Sequence, residues 1–293
     1  MAEIAIALQT ALERRRALGT PGRANARVLA QGDGWSVADV VCTSGPQDTP
    51  FEEEHSHYSI AIVLAGSFQY RSATGRALMT PGSVLLGNPG RCYECGHEHA
   101  EGDRCLSFWY APHYFEPLVA EVGHRPIRDF AVPRIPPMRS LAATVALAAA
   151  NVLAGEDAAW HEVGLQLAAR AVHLSSGVTG TYRAPANAEA RVTRTIRMID
   201  ERPETPLTLD TMGRIAGLSS YHFLRTFQRL TGITPHQYIL RARLREAALQ
   251  ILTRRQPILD LAFDCGFGDV SNFNRAFRAE FGMSPRAFRR RGA

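Results

Sequence analysis

The sequence contains no lysine: all 33 of its basic residues are arginine. It also has no apolar run of the roughly 18 residues that a membrane-spanning helix needs, because the best candidate, residues 141–154, is short and interrupted by Thr144 and Asn151. Near the start, Glu3 and Glu13 lie among the apolar positions and the basic run follows them, which is the reverse of the order in a secretory signal. These absences exclude a membrane protein and predict a mature cytoplasmic chain.

The chain also lacks the residue arrays of common enzyme chemistries. It has no Ser/His/Asp array, no glycine-rich loop suited to phosphates and no paired carboxylates in a recognisable motif. A length of 293 residues allows two domains at about 100–200 residues each. With 45% hydrophobic and 21% charged residues, the chain can bury a core. We therefore expect a folded two-domain protein that is not an enzyme.

The charge is divided unevenly along the chain. Residues 191–293 contain 18 arginines and 9 acidic residues, a net charge of +9, whereas residues 1–190 carry a net charge of −4. An arginine-rich codon bias explains the missing lysine but not the opposite signs of the two parts. A basic segment of domain size indicates nucleic-acid binding by the C-terminal part.

The N-terminal part has the pattern of a β-domain followed by helices. Between residues 28 and 110, short β-branched or aromatic stretches alternate with turn residues, which predicts an antiparallel sandwich or barrel. Prolines 126, 133, 136 and 137 then exclude regular structure. Residues 138–174 predict two helices broken near Gly155, with apolar faces broad enough to pack on the β-unit or on a second subunit.

The C-terminal part contains one unit twice, at residues 219–238 and 269–288. The two copies share phenylalanine, arginine, glycine and proline at an offset of 50 residues, and a short apolar helix ending in glycine precedes each. A helix, a glycine-containing turn and a second helix form a helix-turn-helix unit. Ser219 and Asp269 stand where a side-chain oxygen would cap the second helix of each copy.

Helical spacing assigns a buried and an outer face to each second helix. Phe223, Phe227 and Leu230 form the buried stripe of the first copy, and Phe273 and Phe277 form that of the second. Polar side chains on the outer faces offer donors and acceptors to base edges, and arginine can bind guanine through two hydrogen bonds. The predicted DNA-contacting residues are Ser220, Tyr221, Leu224, Arg225 and Gln228 in the first copy, and Val270, Ser271, Asn274, Arg275 and Arg278 in the second.

A single helix over residues 235–254 is predicted to connect the two units. At 1.5 Å per residue it would span close to 30 Å, comparable with the roughly 34 Å between successive major grooves on one face of B-DNA. Arg241, Arg243 and Arg245 on this helix are expected either to touch phosphates or to face solvent.

The stretch GFGDVSNFNRAFRAEFGMSP, at residues 266–285, together with the first copy closely resembles the AraC/XylS family of bacterial transcription regulators. The resemblance covers about residues 191–290. It implies two helix-turn-helix units that read consecutive major-groove segments, with base contacts from Tyr221, Leu224 and Arg225 and from their counterparts in the second copy. It also implies RNA polymerase as a partner and a homodimer. Where the family usually has Leu-Ala, this chain has Met212-Gly213, and glycine inside a helix costs about 1 kcal/mol relative to alanine.

The N-terminal residues 55–90 resemble a cupin, a β-barrel that binds small molecules in this family. HSH at 55–57, the glycine at the end of that stretch, and a later glycine and Pro-Gly ahead of another predicted strand carry the resemblance, but no glutamate lies between His57 and Gly66, where cupin enzymes have a metal ligand. We therefore expect His55 and His57 either to line an effector pocket or to be structural histidines in the barrel mouth.

A further cluster joins Cys92, Cys95, His97, His99 and Cys105 within 14 residues. Thiolates and imidazoles are the donors that Zn²⁺ prefers, so the cluster suggests a zinc site, although its spacing matches no common zinc module. A thiol switch and simple packing are the alternatives. In a further alternative, only His97 or His99 joins the histidine pair at 55–57 across the barrel. Cys42 and Cys265 are expected to be inert core residues.

The predicted fold class is α+β: an antiparallel cupin-like barrel with a helical pair, then an all-α domain. The expected domains are an effector-binding domain at 1–136, a helical dimerisation segment at 137–176, a linker at 177–190 and a DNA-binding domain at 191–293. The predicted function is a transcription regulator that binds double-stranded DNA in response to a small-molecule effector. The alternatives are a metal- or redox-responsive regulator and a cupin-type metalloenzyme with an auxiliary DNA-binding tail.

The basic C-terminal part generates a first prediction. Because each neutralised phosphate releases counterions, the logarithm of the DNA association constant should fall linearly and steeply with the logarithm of salt concentration. Fluorescence anisotropy with a specific and a random duplex, titrated over a series of salt concentrations, measures this slope. Equal affinity for the two duplexes at moderate salt would contradict sequence-specific regulation.

Overall fold

The computed structural model describes residues 2–122, 129–155, 159–177 and 186–291. Within these residues the N-terminal part combines antiparallel strands with a few helices, and the C-terminal part is helical. The N-terminal elements are α1 (Ala2–Leu18), β1 (Ala24–Gly32), β2 (Trp35–Cys42), β3 (Phe51–His55), β4 (Tyr58–Gly66), β5 (Phe68–Ser72), β6 (Gly75–Met79), β7 (Val84–Gly87), β8 (Arg91–Gly96), β9 (Asp103–Tyr110), α2 (Pro112–Val122), β10 (Arg134–Ile135), α3 (Arg139–Ala154) and α4 (Trp160–Ser175). The C-terminal elements are α5 (Ala186–Glu201), α6 (Leu209–Ala216), α7 (Ser220–Thr231), α8 (Pro235–Thr253), α9 (Ile258–Asp264), α10 (Val270–Phe281) and α11 (Pro285–Arg291).

The strands form two antiparallel sheets, as the alternating pattern predicts. One has the order β1-β2-β9-β4-β7-β10 and the other β3-β8-β5-β6. Neighbouring side chains of a strand point to opposite sides of its sheet, and those of β4 are buried on both sides. Ile60, Ile62 and Leu64 pack with the helices, whereas Ala61 and Val63 pack with the second sheet. The large sheet is therefore covered by helices on one side and by the small sheet on the other.

The two alanine-rich helices predicted from residues 138–174 are confirmed as α3 and α4, and their apolar faces are covered within the chain. Helix α4 lies on the large sheet, where the Tyr110 hydroxyl donates to the Gly164 carbonyl oxygen at 2.8 Å. Helix α3 contributes Leu141 and Val145 to the N-terminal core and Ala146 to the core of the second helix-turn-helix unit. Of the two expected packing partners, this structure shows the β-unit, together with the C-terminal helices.

Two boundaries differ from expectation. The short strand β10 lies inside the proline-rich segment, because Arg134 and Ile135 pair with β7 between the prolines. Helix α5 begins at Ala186, so the last five residues of the expected linker at 177–190 are helical. Pro126 and residues 178–185 of that linker lie outside the described residues.

The predicted connector is confirmed as α8, which has 19 residues and a length of about 28 Å. It begins with a capping box, in which Thr234 and Gln237 each bind the other's backbone N–H. The expectation that its arginines face phosphates or solvent is wrong. Arg243 donates to backbone carbonyl oxygens of neighbouring loops, and Arg245 is buried against Asp200 at 3.4 Å. Arg241 binds Glu280 at 3.1 Å. A charged group in such a partly buried place needs these partners.

None of the helices in the described part of the chain combines the length and apolar character required to span a bilayer.

Helix α1 generates a stability prediction. Leu8 is 4% exposed and packs into the N-terminal core, whereas Ile6 on the same helix is 59% exposed. Leu8→Ala should lower the free energy of unfolding by about 2–5 kcal/mol, because it leaves a cavity. The matched control Ile6→Ala should change it by less than about 0.5 kcal/mol. Urea unfolding followed by circular dichroism measures both, and equal losses would place α1 outside the core.

Candidate functional site

Two helix-turn-helix units stand at the ends of α8: α6 with α7, and α9 with α10. The predicted caps are confirmed. The Ser219 hydroxyl oxygen accepts from the His222 N–H at 3.3 Å, and the Asp269 carboxylate accepts from the Asn272 N–H at 2.6 Å. Helices α7 and α10 both end at a glycine in the left-handed conformation, Gly232 with φ 84° and Gly282 with φ 75°. The equivalent caps fix equivalent lengths of 12 residues for both helices.

The predicted buried stripes are confirmed, and the opposite faces are open to solvent. Each predicted stripe residue of α7 and α10 lies in a hydrophobic core. The side chains predicted to read bases lie on the outer faces and are exposed, except that Ser220, Leu224 and Val270 are half-buried. The exposed members are Tyr221, Arg225, Gln228, Ser271, Asn274, Arg275 and Arg278.

The arginines at equivalent positions of the two copies make only light contacts within the chain. Arg225 donates to the Tyr221 hydroxyl at 3.1 Å, and Arg275 donates to the Asn272 amide oxygen at 3.2 Å. In the described ranges neither arginine forms a salt bridge, so a structural ion pair does not account for them. Both guanidinium groups are therefore held beside the outer face with donors left for a ligand.

Gly213 has a packing role in the first unit. A Cβ atom at this position would lie 2.9 Å from the Leu218 carbonyl oxygen. The Leu218 N–H in turn donates to the Gly213 carbonyl oxygen at 2.9 Å. The turn between α6 and α7 closes tightly over α6 because no side chain intervenes.

A second candidate site is a cavity of about 290 Å³ between the two sheets. His55 lines it, with Nε2 2.8 Å from the Tyr70 hydroxyl and its ring stacked on Tyr93 at 4.0 Å. Burial lowers the pKa of His55 to about 4, so its imidazole is neutral at pH 7. His55 can therefore act in the cavity as a hydrogen-bonding group rather than as a cation.

His57 does not join His55 in the cavity, contrary to the sequence-based expectation. Strand β3 ends at His55 and β4 begins at Tyr58, so Ser56 and His57 form the bend between the strands. His57 is exposed, and its Nδ1 lies 2.8 Å from the Ser56 hydroxyl. The HSH motif spans a turn instead of one strand, and only its first histidine points inward.

The five-residue zinc cluster predicted from Cys92, Cys95, His97, His99 and Cys105 does not form. Cys92 and Cys95 are three residues apart on the extended strand β8, and such residues face opposite sides of a sheet. Cys95 lines the cavity and Cys92 is exposed on the outside. His99 lies 3.9 Å from a Glu98 carboxylate oxygen. Among the described residues, no three of the five bring ligand atoms together.

A different set converges on the cavity wall: Cys42, His97 and Asp103. Cys42 and Asp103 are direct partners in the ladder between β2 and β9. His97 follows β8, and its Nε2 lies 2.7 Å from a carboxylate oxygen of Asp103. The Cys105 thiol donates to the other carboxylate oxygen at 3.1 Å. Asp103 was not among the predicted site residues and Cys42 was expected to be an inert core residue, although Asp103 and Cys105 share one face of a strand by their spacing of two.

Asp103 favours the protonated form of the His97 imidazole. Burial alone lowers the pKa of His97, but the hydrogen bond and charge of Asp103 and the neighbouring Cys42 raise it to about 10. Burial raises the pKa of the Cys95 and Cys105 thiols well above the usual value. Because the thiolate is the reactive form of cysteine, these two side chains are poor candidates for a fast thiol switch.

Comparison with known proteins identifies the C-terminal part. A family model described as a helix-turn-helix domain matches residues 212–291. The regulatory protein SoxS of Salmonella typhimurium is 36% identical over 96 residues, which cover 33% of this chain and 90% of SoxS. The chain belongs to the AraC/XylS family of transcription regulators. As a member of that family, it is a regulator rather than an enzyme.

Two further proteins are similar to this AraC/XylS regulator. YbfI of Bacillus subtilis, an uncharacterized HTH-type transcriptional regulator, is 27% identical over 228 residues, which cover 74% of this chain and 79% of YbfI. Among solved structures, a transcriptional regulator with an AraC-type DNA-binding domain from Chromobacterium violaceum aligns at 26% identity with a TM-score of 0.35. That alignment covers 37% of this chain and 97% of the other.

Proposed function

We propose that this AraC/XylS regulator reads an operator with α7 and α10 in two consecutive major-groove segments. The observation that carries this proposal is the pair of matched outer faces, each capped, each backed by a phenylalanine stripe, and each carrying an exposed arginine without a salt bridge in the described residues. Arg225 and Arg275 offer the paired donors that guanine accepts. The length of α8, about 28 Å, is close to the groove repeat of roughly 34 Å.

The further parts of the function rest on the family resemblance and on the cavity. We propose a cupin-like role for the N-terminal sheets at 1–136, with a small-molecule effector held in the cavity beside His55. A homodimer through residues 137–176 and contact with RNA polymerase are proposed from the resemblance alone. The structure covers the apolar faces of α3 and α4 within one chain, so a dimer would use other parts of their surface.

A route from the N-terminal domain to the second recognition helix is provided by Glu280 on the inner side of α10. Its carboxylate binds Arg139 of α3 at 3.3 Å and Arg241 of α8 at 3.1 Å. Because α3 also packs into the N-terminal core, a shift of α3 on effector binding would change the contacts that hold α10. We propose this contact as the link between effector and operator.

Arginine substitutions test the DNA-binding surface. Arg225→Ala and Arg275→Ala should each weaken binding to the operator by about 1–3 kcal/mol and relax the preference at one base position. Arg197→Ala is the matched control, since Arg197 is an exposed arginine of α5 that pairs with Glu201 at 2.8 Å and lines a cleft beside α1 of the N-terminal domain. Selection of operators from a random duplex pool, followed by anisotropy titration, measures both effects. Unchanged selectivity in both variants, or an equal loss in the control, would remove α7 and α10 as readers.

Native mass spectrometry tests the effector cavity. The full chain isolated from its own cells should carry a small molecule that Ala61→Leu displaces, because Ala61 lines the cavity. Ala77→Leu is the control, since Ala77 belongs to the same core cluster without lining the cavity. Both variants add bulk to a packed core, so melting temperatures are compared first. A molecule retained equally by both variants, or a wild-type chain with no added mass, would contradict an effector in this cavity.

A further inference from the structure

Three side chains with different ligand atoms meet in the wall of the cavity. Cys42 is the last residue of β2 and Asp103 the first of β9, both in the large sheet. His97 directly follows β8 of the small sheet, so both sheets contribute to the group. One ligand atom of each lies within 4.8 Å of the others, and all three residues are buried. Exposed acidic groups often lie close together without binding anything. Burying a thiol, an imidazole and a carboxylate together costs free energy unless interactions between them or with a ligand compensate for it.

His97 supplies an independent observation. Its side chain is 1% exposed, and while Nε2 is engaged by Asp103, the buried Nδ1 has no hydrogen-bond partner among the described residues. A buried polar atom without a partner is costly, so His97 is incompletely satisfied in the metal-free chain. An ion that takes the place of the proton between Nε2 and the Asp103 carboxylate oxygen would be bound by both side chains, so Asp103 acts as a ligand and not as an outer partner of the histidine.

The chemistry of the three donors selects the class of ligand. A thiolate, an imidazole nitrogen and a carboxylate oxygen together are a donor set of Zn²⁺, whereas Mg²⁺ and Ca²⁺ take oxygen donors. A thiol that coordinates the ion is deprotonated on binding. Three protein ligands beside a cavity of about 290 Å³ leave room for a fourth ligand from inside.

We propose that Cys42, His97 and Asp103 form a Zn²⁺ site in the cavity wall, with the fourth coordination position facing the cavity. The inference rests on the proposed function only in that it assigns a metal to the cavity for which an effector is proposed. It is independent of DNA binding, since metal content is measured on the free chain.

Zinc binding by the full, reduced and metal-stripped chain tests the site. Titration with Zn²⁺ against a chromogenic chelator should show one tightly bound ion per chain. Cys42→Ser, His97→Gln and Asp103→Asn should each weaken binding by at least the roughly 10–100-fold that loss of even an outer partner costs. Cys92→Ser and His99→Gln are matched controls from the neighbouring Cys/His-rich segment and should bind as the wild type does. Substoichiometric zinc in the wild type, or unchanged affinity in the three site variants, would overturn the proposal.

Two readouts guard against loss of fold. Added Zn²⁺ should raise the melting temperature of the wild type and of both controls, but not of the site variants, whose metal-free melting temperatures report their folding. The second readout needs no variant. In the wild type, Zn²⁺ should slow the alkylation of Cys42, mapped by peptide mass spectrometry, and leave the alkylation of exposed Cys92 unchanged. Equal alkylation of Cys42 with and without zinc would overturn the site. DNA binding by the metal-free chain, measured in parallel, separates this outcome from failure of the proposed regulator function.

Discussion

The guanidinium group of Arg243 donates hydrogen bonds to carbonyl oxygens from two separate parts of the DNA-binding domain. It binds Pro203 at 2.6 Å, before the first helix-turn-helix unit, and Gly266 at 2.7 Å, in the turn of the second. The two loops also touch directly, because a Cβ atom at Gly266 would lie 2.7 Å from the Cα of Glu204. Since Arg243 lies on α8, one side chain fixes both units to the connector. The spacing of α7 and α10 therefore depends on inward hydrogen bonds as well as on the length of α8.

Contacts of Arg134 and Glu280 join the N-terminal domain to the DNA-binding domain. Arg134 donates to the Leu78 carbonyl oxygen in one domain and to the Leu230 carbonyl oxygen at the end of α7 in the other, at 2.6 and 2.9 Å. The Glu280 carboxylate binds arginines of α3 and α8 on the inner side of α10. Helices α7 and α10 thus each have an arginine-mediated contact that involves the N-terminal part. These contacts lie on the inner sides of the helices, so a shift of the N-terminal part would move the helices without covering their outer faces.

Local patterns predicted much of this structure because they act over a few residues. The caps at Ser219 and Asp269 and the stripes of phenylalanine depend on spacings of three or four residues, and the strands were predicted from short β-branched or aromatic stretches between turn residues. The roles of Arg241, Arg243 and Arg245 were not predictable in this way. Their hydrogen-bond partners are 23 to 104 residues distant along the chain, and an arginine looks the same in sequence whether it meets a phosphate or a carbonyl oxygen.

The Cys/His region shows where sequence spacing misleads. Proximity in sequence suggested that Cys92 and Cys95 act together, but the pleat of β8 separates them onto opposite faces. Cys42 and Asp103 are 61 residues apart, and strand pairing places them side by side. The space between the two sheets would ordinarily be filled by hydrophobic side chains. In this cavity wall an aspartate, a histidine and thiols stand in their place, and the stabilisation from apolar packing is lost there. Departures of this kind from a consistent core are expected where a protein binds something, and they support the ligand site proposed in this cavity.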